Sequence, residues 1–450
     1  MTFWHRILGG SRPAAGARTG SRGAGVLRRS AILFLVLVTV LSLSLSVFAE
    51  QKLLTVLDTS DFHGNLLPTK DYSLGRMLGG AGVLATYIRS YEVRNPQGTL
   101  LVDDGDLMQG PPISTLFHGQ STIDFYNYMG YDAAAVGNHE FDWGRAVLEE
   151  RAKQADFPFL AANIVDTATG QPPSFAKPYV IKGINGVKVG LIGVTTLETP
   201  TIVLPDAVKG LEFIDPAQAV NSLVPKVRAE GAQVVVVLAH MGGQQAADGT
   251  ITGEIADLAK QVKGVDLILG GHTHTLVSGQ VNGIPVIVPG LWGQALGVAT
   301  VVYDTDAQKV ISVRTNLVRT FSDEVVPDAG ALALVNAYQA KTGPLMDKVI
   351  GQTTTGIMRD YDHESAMGDF FADAMLAEIR KINPAVQIMF TNAGGLRTDV
   401  GPGPITVGKI WEICPFDNTI VTMKLTGEQI LSILANKTKG MIQQSGLRFT

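Results

Sequence analysis

The sequence predicts an α/β fold whose reactive groups gather at one end of its strands. Three observations carry that prediction. Separate runs rich in Val, Ile and Leu are spaced by helical stretches. Five of those runs stop at a Gly-containing turn that bears Asp, His or Asn. Glycine is abundant, 50 of 450 residues, while charged residues make up only 17%. That balance suits a loop-rich α/β protein better than a helical bundle.

In chain order, Leu53 to Leu57 reads as the first buried strand. It ends in Asp58-Thr59-Ser60-Asp61-Phe62-His63-Gly64. Gly79-Gly80-Ala81-Gly82 opens a helix over Val83 to Ser90. Its glycines have the wrong spacing for a nucleotide fingerprint and follow no strand, so a turn or close packing accounts for them. Thr99 to Val102 is a second strand, ending in Asp103-Asp104-Gly105-Asp106. Ala133 to Val136 is a third, ending in Gly137-Asn138-His139-Glu140-Phe141-Asp142. Phe157 to Ile164 and Val187 to Val194 read as further strands. Gln233 to Leu238 ends in Ala239-His240-Met241-Gly242-Gly243, and Val265 to Leu269 ends in Gly270-Gly271-His272-Thr273-His274. Continuous apolar runs, rather than alternating ones, fit strands covered on both faces. Helices over Arg145 to Gln154 and Ala217 to Glu230 supply the cover. Turns at the carboxyl ends of such strands lie along one edge, so these five can converge.

Past Pro289 the strands turn hairpin-like, Ala299 to Tyr303 and Val310 to Val313, as at an antiparallel edge. At about 100–200 residues per domain the length allows two or three domains. The expected division is a first domain over residues 50–327, a linking helix over 328–344 and a second domain over 345–450. Landmarks of the second are a helix from Glu364 to Arg380, a strand from Val386 to Phe390 and the loop Asn392-Ala393-Gly394-Gly395-Leu396-Arg397. The chain stops at Leu447-Arg448-Phe449-Thr450 inside what reads as a strand, which suggests a fragment.

Residues 1–49 read as a targeting segment. They hold six arginines and no acid, then an apolar run from Ala31 to Ala49 that closes on Val47-Phe48-Ala49. Cleavage there predicts export to the periplasm, cell surface or medium. The same run left uncleaved would be a membrane anchor. Without the segment, 30 basic residues face 41 acidic ones, a balance of −11. Such a chain is a poor binder of nucleic-acid polymers, while small anionic substrates stay possible. Cys414 is the only cysteine, so internal disulfides and thiolate zinc sites are excluded.

The polar turns are the chemistry. An Asn, a His and two carboxylates within five residues after Gly137 are costly to bury unless paired. A metal and a phosphate would pair with them. Five of the seven histidines after residue 49 (His63, His139, His240, His272 and His274) sit in these turns, beside Asp61, Asp106 and Asn138. A lone histidine in a turn is usually structural; five at comparable strand ends are not. Asp, His and Asn without Cys suit two divalent ions such as Mn, Zn, Co, Fe or Mg. Two such ions need a bridging carboxylate, for which Asp106 is the natural choice. His139 need not bind metal, because Asp142, three residues on, can orient and charge it.

Asp61-Phe62-His63, Gly105-Asp106 to Gly110, Gly137-Asn138-His139-Glu140, His240-Met241-Gly242 and Gly271-His272-Thr273-His274 follow the order of the calcineurin-like metallophosphoesterases. From about Leu53 to Thr450 the chain resembles their bacterial 5′-nucleotidase and UDP-sugar hydrolase branch. The resemblance implies a four-layer αββα sandwich followed by a smaller nucleotide-binding α/β domain. It also implies one metal on Asp61, His63, Asp106 and His274, and a second on Asp106, Asn138, His240 and His272. His139 and Asp142 match the family's catalytic dyad. In the second domain Asn392, Gly395 and Arg397 match the glycine loop and its substrate arginine, and Phe416 in Pro415-Phe416-Asp417-Asn418 matches a base-stacking residue. Arg359 is a second candidate arginine, in a loop that departs from the pattern. Ala393 replaces a glycine often present, and the family's second stacking aromatic belongs to a segment later than Thr450.

The expected activity is hydrolysis of nucleotides to nucleosides and phosphate. A 2′,3′-cyclic-nucleotide phosphodiesterase with 3′-nucleotidase activity, or a UDP-sugar hydrolase, would use the same residues. A binding module that keeps metal only for structure is a third reading, and it leaves His139 beside Asp142 without a purpose.

Overall fold

Two six-stranded sheets lie face to face. The computed structural model describes residues 50–416, 418–435 and 441–448; the expected targeting segment, 1–49, lies outside them. In the first sheet, β1 (Gln51–Thr59), β2 (Thr99–Asp103), β3 (Ala133–Ala135) and β4 (Phe159–Leu160) run parallel. In the second, β5 (Tyr179–Ile184) pairs antiparallel with β6 (Val187–Thr195), which runs parallel to β7 (Val234–His240) and β8 (Leu267–Gly270). The hairpin β9 (Leu276–Val281) and β10 (Ile284–Pro289) completes it beside β8. The chain then returns to the first sheet. There β11 (Ala295–Asp304) lies antiparallel to β1, and β12 (Lys309–Arg319) forms the edge, as the hairpin pattern predicts.

Alternation along the strands assigns each face. Leu54, Val56, Leu100 and Val102 of the first sheet pack against Val234, Val236, Leu238 and Leu267 of the second, forming the central core. Leu57 and Leu101 point the other way, onto α1 (Ala81–Glu92), α2 (Gln120–Met129) and residues after it. Val235 and Val237 likewise meet α4 (Pro216–Ala229) and α5 (Glu254–Gln261), while α3 (Arg145–Gln154) covers the first sheet through Leu148. The layers are therefore helix, sheet, sheet, helix. Each parallel strand has one face on helices and the other on the opposite sheet, so helices supply only half of the expected cover.

Two local expectations are corrected. Phe157 to Ile164 is not one strand: β4 ends at Leu160, and Ile164–Asp166 pairs separately with Leu211–Phe213. Asn163 causes the break. Its buried amide bonds the backbone of Thr195 on both sides and the Ile214 carbonyl, taking the partners that a ladder would use. At the far end, the strand Ile442–Ser445 stops before Leu447, turned by Gly446 at φ 91°, while Phe449 and Thr450 lie outside the described residues. Gly80, at φ 80°, precedes α1 and lies against the Leu67–Pro68 backbone, which accounts for the glycine cluster as a turn.

Helix α6 (Ala329–Met346) buries Ala331, Val335 and Tyr338 in the first domain's outer core. It is docked rather than a free link. We propose that the boundary between the two domains falls at its end. Beyond it, α7 (Ala366–Ile382) packs on the two-stranded sheet of Met389–Asn392 and Ile442–Ser445, and α8 (Val407–Ile413) follows Gly403–Thr406. Among the described residues no helix is long and apolar enough to cross a membrane.

Asp328 starts α6. Its side chain accepts from Ala331 N at 2.9 Å, from Tyr128 OH at 2.7 Å and from Arg89 Nε at 3.1 Å. Burial works to raise this carboxyl, and those donors outweigh it and hold it below its usual 3.8. Replacing Asp328 with Ala should cost about 1–2 kcal/mol in urea unfolding at neutral pH. A lowered folded pKa means the contribution is complete above 3.8 and fades as the group protonates. The gap between the two proteins should narrow as pH falls below 3.8.

Candidate metal centre

The five polar turns leave the carboxyl ends of β1, β2 and β3 in one sheet and β7 and β8 in the other. They meet because both sheets present these ends on the same side. Asp61, His63, Asp106, His272 and His274 all have positive φ, 50°, 48°, 57°, 71° and 60°. Side chains other than glycine seldom adopt that backbone, and each instance costs on the order of 1–3 kcal/mol. Its concentration at one point marks a functional site.

Two sets of side chains converge. Asp61, His63 and His274 bring their ligand atoms within 4.8 Å of one another, and so do Asp106, His240 and His272. Between them, Asp106 Oδ2 is 3.2 Å from His240 Nε2 and 3.7 Å from His63 Nε2. Asn138 Oδ1 is 3.1 Å from His240 Nε2. His63 Nδ1 faces the Gln109 carbonyl at 2.8 Å, and His240 Nδ1 faces the Asp104 carbonyl at 2.9 Å. Those carbonyls can only accept, so each Nδ1 carries the proton and each Nε2 is left to bind at the centre. His63 and His274 face each other Nε2 to Nε2 at 3.2 Å.

The electrostatics fit cations. Burial would raise the Asp61 carboxyl, but His274 and His240 hold it at about 2. Asp106 is held well below the usual range by His240 and His139 against the same burial. Burial favours neutral rings at His63 and His274, with Arg397 and Asp61 respectively as the nearest charges, and His272 is pushed down to about 4. His240 goes the other way: burial opposes its charge, yet Asp106 raises it to about 10. Ionised carboxylates beside neutral imidazoles are a donor set for divalent ions, and the proton that Asp106 draws onto His240 is one that an ion binding at Nε2 would displace.

His139 is arranged differently. Its Nδ1 lies 2.7 Å from Asp142 Oδ2, and its backbone N donates to Asp106 Oδ1 at 2.8 Å. Burial disfavours its charge, but Asp142 and Asp106 prevail and raise its pKa. His139 also groups with His63 and Asp106 within 4.8 Å, so distance alone would admit it as a ligand. Its carboxylate partner and raised pKa suit a proton donor better.

The second domain reaches this centre. Arg397 Nη2 is 3.1 Å from His63 Nε2 and 3.5 Å from His274 Nε2. The Phe416 ring stacks on His139 at 5.7 Å between centroids and 27° between planes. Phe416 also lines a cavity of about 610 Å³ together with Asn392, Trp411 and Asn418. Gly395 belongs to the turn Ala393–Gly395 that carries Arg397. A Cβ on Gly395 would lie 3.1 Å from Asn392 Oδ1. Arg359 is exposed and does not reach the histidines, but its hydrogen bonds to the Leu396 carbonyl and Asp399 place it beside Arg397, on which its charge acts.

Two residues had no role in the sequence analysis. Glu140 is buried, and its carboxylate accepts from the backbone of Asp106, Gly137 and Leu107, each at 2.8 Å. It ties the β2 turn to the β3 turn. A Cβ on Gly137 would sit 2.3 Å from Asp106 Oδ1, so only glycine lets the two turns approach this closely. Gln109, beyond orienting His63, donates through Nε2 to the Pro415 carbonyl at 2.8 Å. Its place within the Asp106 to Gly110 motif was the only signal.

Comparison with known proteins agrees with this geometry. Residues 54–276 match the calcineurin-like phosphoesterase family, and residues 349–450 match the 5′-nucleotidase C-terminal domain. The chain belongs to the 5′-nucleotidase branch of the calcineurin-like phosphoesterases. That is a family of metal-dependent phosphoester hydrolases. A snake venom 5′-nucleotidase of Gloydius brevicauda is 30% identical over 428 residues, 85% of this chain and 70% of the relative. Endonuclease YhcR of Bacillus subtilis is 30% identical over 407 residues, 85% of this chain but only 32% of that protein's length. A 5′-nucleotidase precursor from Thermus thermophilus superposes with a TM-score of 0.78 at 28% identity, covering 88% of this chain and 82% of the other.

Glu140 yields a test. Its removal leaves three buried N–H groups unpaired, at about 1–3 kcal/mol each. Glu140→Ala should therefore lower the unfolding midpoint and the metal content after dialysis, measured by elemental analysis. Unchanged metal retention would mean that the tie between the turns is dispensable.

Proposed function

We propose that the chain is an exported phosphohydrolase that releases phosphate from nucleotides, of the 5′-nucleotidase type. The observation that carries this reading is the meeting of Arg397 and Phe416 with His63 and His139. A cation and an aromatic from a second domain, set against an Asp/His centre, suit a substrate that joins an anionic phosphoryl group to a flat base. Export is supported by the arginine-rich, acid-free leader and its apolar run.

Asp61, His63, Asp106 and His274 would hold one divalent ion, and Asp106, Asn138, His240 and His272 the second. Such ions supply Lewis acidity and an activated water. The chain's own groups do the rest. Arg397 takes two phosphoryl oxygens with its guanidinium fork and fixes the phosphorus against the centre. His139, with Nδ1 held by Asp142, presents Nε2–H to the oxygen that gains charge or leaves. Phe416 offers its ring to the base, beside the Asn392 and Asn418 amides. A module that only stores metal would have no need of the His139–Asp142 pair.

The same centre would serve a 2′,3′-cyclic-nucleotide phosphodiesterase with 3′-nucleotidase activity, or a UDP-sugar hydrolase. The endonuclease name belongs to a relative of which this chain matches a third. Its own balance of −11 after residue 49 disfavours a polymeric polyanion.

The protein freed of residues 1–49 and supplied with Mn or Zn should release phosphate from nucleoside monophosphates, and a chelator should stop it. Asp106→Ala should abolish turnover. His139→Ala should lower kcat by about 10²–10⁴-fold with KM less affected. An active Asp106→Ala enzyme would refute the shared-carboxylate assignment.

A further inference from the structure

Gln109 joins the two halves of the centre through two different groups. Its backbone carbonyl accepts the Nδ1 proton of His63 at 2.8 Å. Its side chain reaches the other domain, where Nε2 donates to the Pro415 carbonyl at 2.8 Å, across 306 positions of sequence. The backbone part is firmly held. Ser114 Oγ donates to the Met108 carbonyl and Thr115 Oγ1 to the Gly110 carbonyl, both at 2.6 Å. Just ahead of it, the Asp106 and Leu107 carbonyls accept from the backbone of His63 and Gly64 at 2.9 and 2.8 Å.

The far end of the bridge is equally defined. The carbonyl of Pro415 and the nitrogen of Phe416 belong to one planar peptide. The hydrogen bond therefore grips the plane from which the Phe416 ring departs to stack on His139. The proline ring fixes φ at residue 415, which removes one of the torsions by which that plane could turn. The same segment braces Arg397, whose backbone N donates to the Ile413 carbonyl at 2.7 Å.

The state of the amide shows what it contributes. Gln109 is 2% exposed. The Pro415 carbonyl can only accept, so Nε2 must face it and the amide cannot be flipped. Oε1 is then left buried without a hydrogen-bond partner among the described residues. An apolar side chain of similar size would avoid that cost. What the amide supplies in return is the bond that crosses between the domains.

We propose that Gln109 is a positioning residue that sets the reach from the metal centre to the base, and so makes the site selective for esters of nucleotide length. The inference rests on the nucleotide phosphohydrolase reading and deepens it, because it names the residue that gauges the substrate. Gln109 acts through His63 on one side and through Phe416 on the other. Any residue at 109 keeps the carbonyl that orients His63, so loss of the amide frees only the stacking ring. A ligand that must meet the ring and the centre at once then binds less well.

The test is a double-mutant cycle on AMP hydrolysis with the metal-loaded protein, Gln109→Met, Phe416→Ala and the two combined. Methionine keeps the length of the side chain and has no donor for Pro415; Gln109→Leu makes the same deletion if the methionine variant does not fold. Gln109→Met should raise KM for AMP about five- to tenfold, with kcat less affected. Added to Phe416→Ala, it should raise KM no further, because the ring through which it acts is gone. An unchanged KM, a fall in kcat alone, or an equal rise in KM without Phe416 would overturn the assignment; the last is what a merely structural role predicts. An unmodified protein inert toward AMP and other nucleotides would instead remove the reading on which the inference rests.

Discussion

The centre depends on the Asp106 carboxylate. Oδ1 accepts the backbone N–H of His139, and Oδ2 faces His240 and His63. Its backbone N donates to Glu140, and its carbonyl accepts from His63 N. One residue thus contacts the turns after β1, β3 and β7. A carboxylate buried to 1% exposure is costly unless charge and donors surround it. The turns are therefore built around satisfying it, and divalent ions held by the two sets of side chains would complete that satisfaction.

That arrangement is expensive in backbone terms. Five candidate ligands in left-handed conformations cost several kcal/mol in sum, a large share of the roughly 5–15 kcal/mol that a folded protein has in hand. The turns cannot hold themselves. They are held because the strands before them are fixed on both faces, by the central core on one side and helices on the other. Phe62 shows the coupling directly. It lies between Asp61 and His63, is fully buried and packs on Phe125 at 5.7 Å between ring centroids. The strained pair is anchored by the core residue between them.

The same physics decides what could be read from the chain beforehand. Runs such as Val234 to Leu238 announce burial on both faces, and their polar ends announce a site, because few other arrangements tolerate that contrast. They do not announce what does the covering, since a helix and a second sheet present equally apolar surfaces; residue resemblance was needed for the four layers. Glu140 could be seen but not assigned, because its three partners are backbone N–H groups that have no side-chain signature. The break at Asn163 was hidden for the same reason. Arg397 and Phe416 were legible as types in a loop, yet their meeting with His63 and His139 joins positions more than 250 residues apart. No local pattern encodes such a distance.

The link between the domains constrains how substrate arrives. Arg397, Phe416 and the Gln109–Pro415 hydrogen bond close the second domain onto the centre. The connecting helix is no hinge in itself, because Ala331, Val335 and Tyr338 are embedded in the first domain and Asp328 is locked by Tyr128 and Arg89. A rotation that opens the centre therefore has to be absorbed after Met346, by Asp347 and Lys348 before the strand Val349–Thr353 begins. Among the described residues the contacts it would break include the Gln109–Pro415 hydrogen bond, the His139–Phe416 stack, the Arg397 guanidinium on His63 and His274, and the packing of α8 on Pro112–Thr115. Under the proposed function, a substrate anion bridging Arg397 and the metal centre would add to the contacts that hold the second domain on the first.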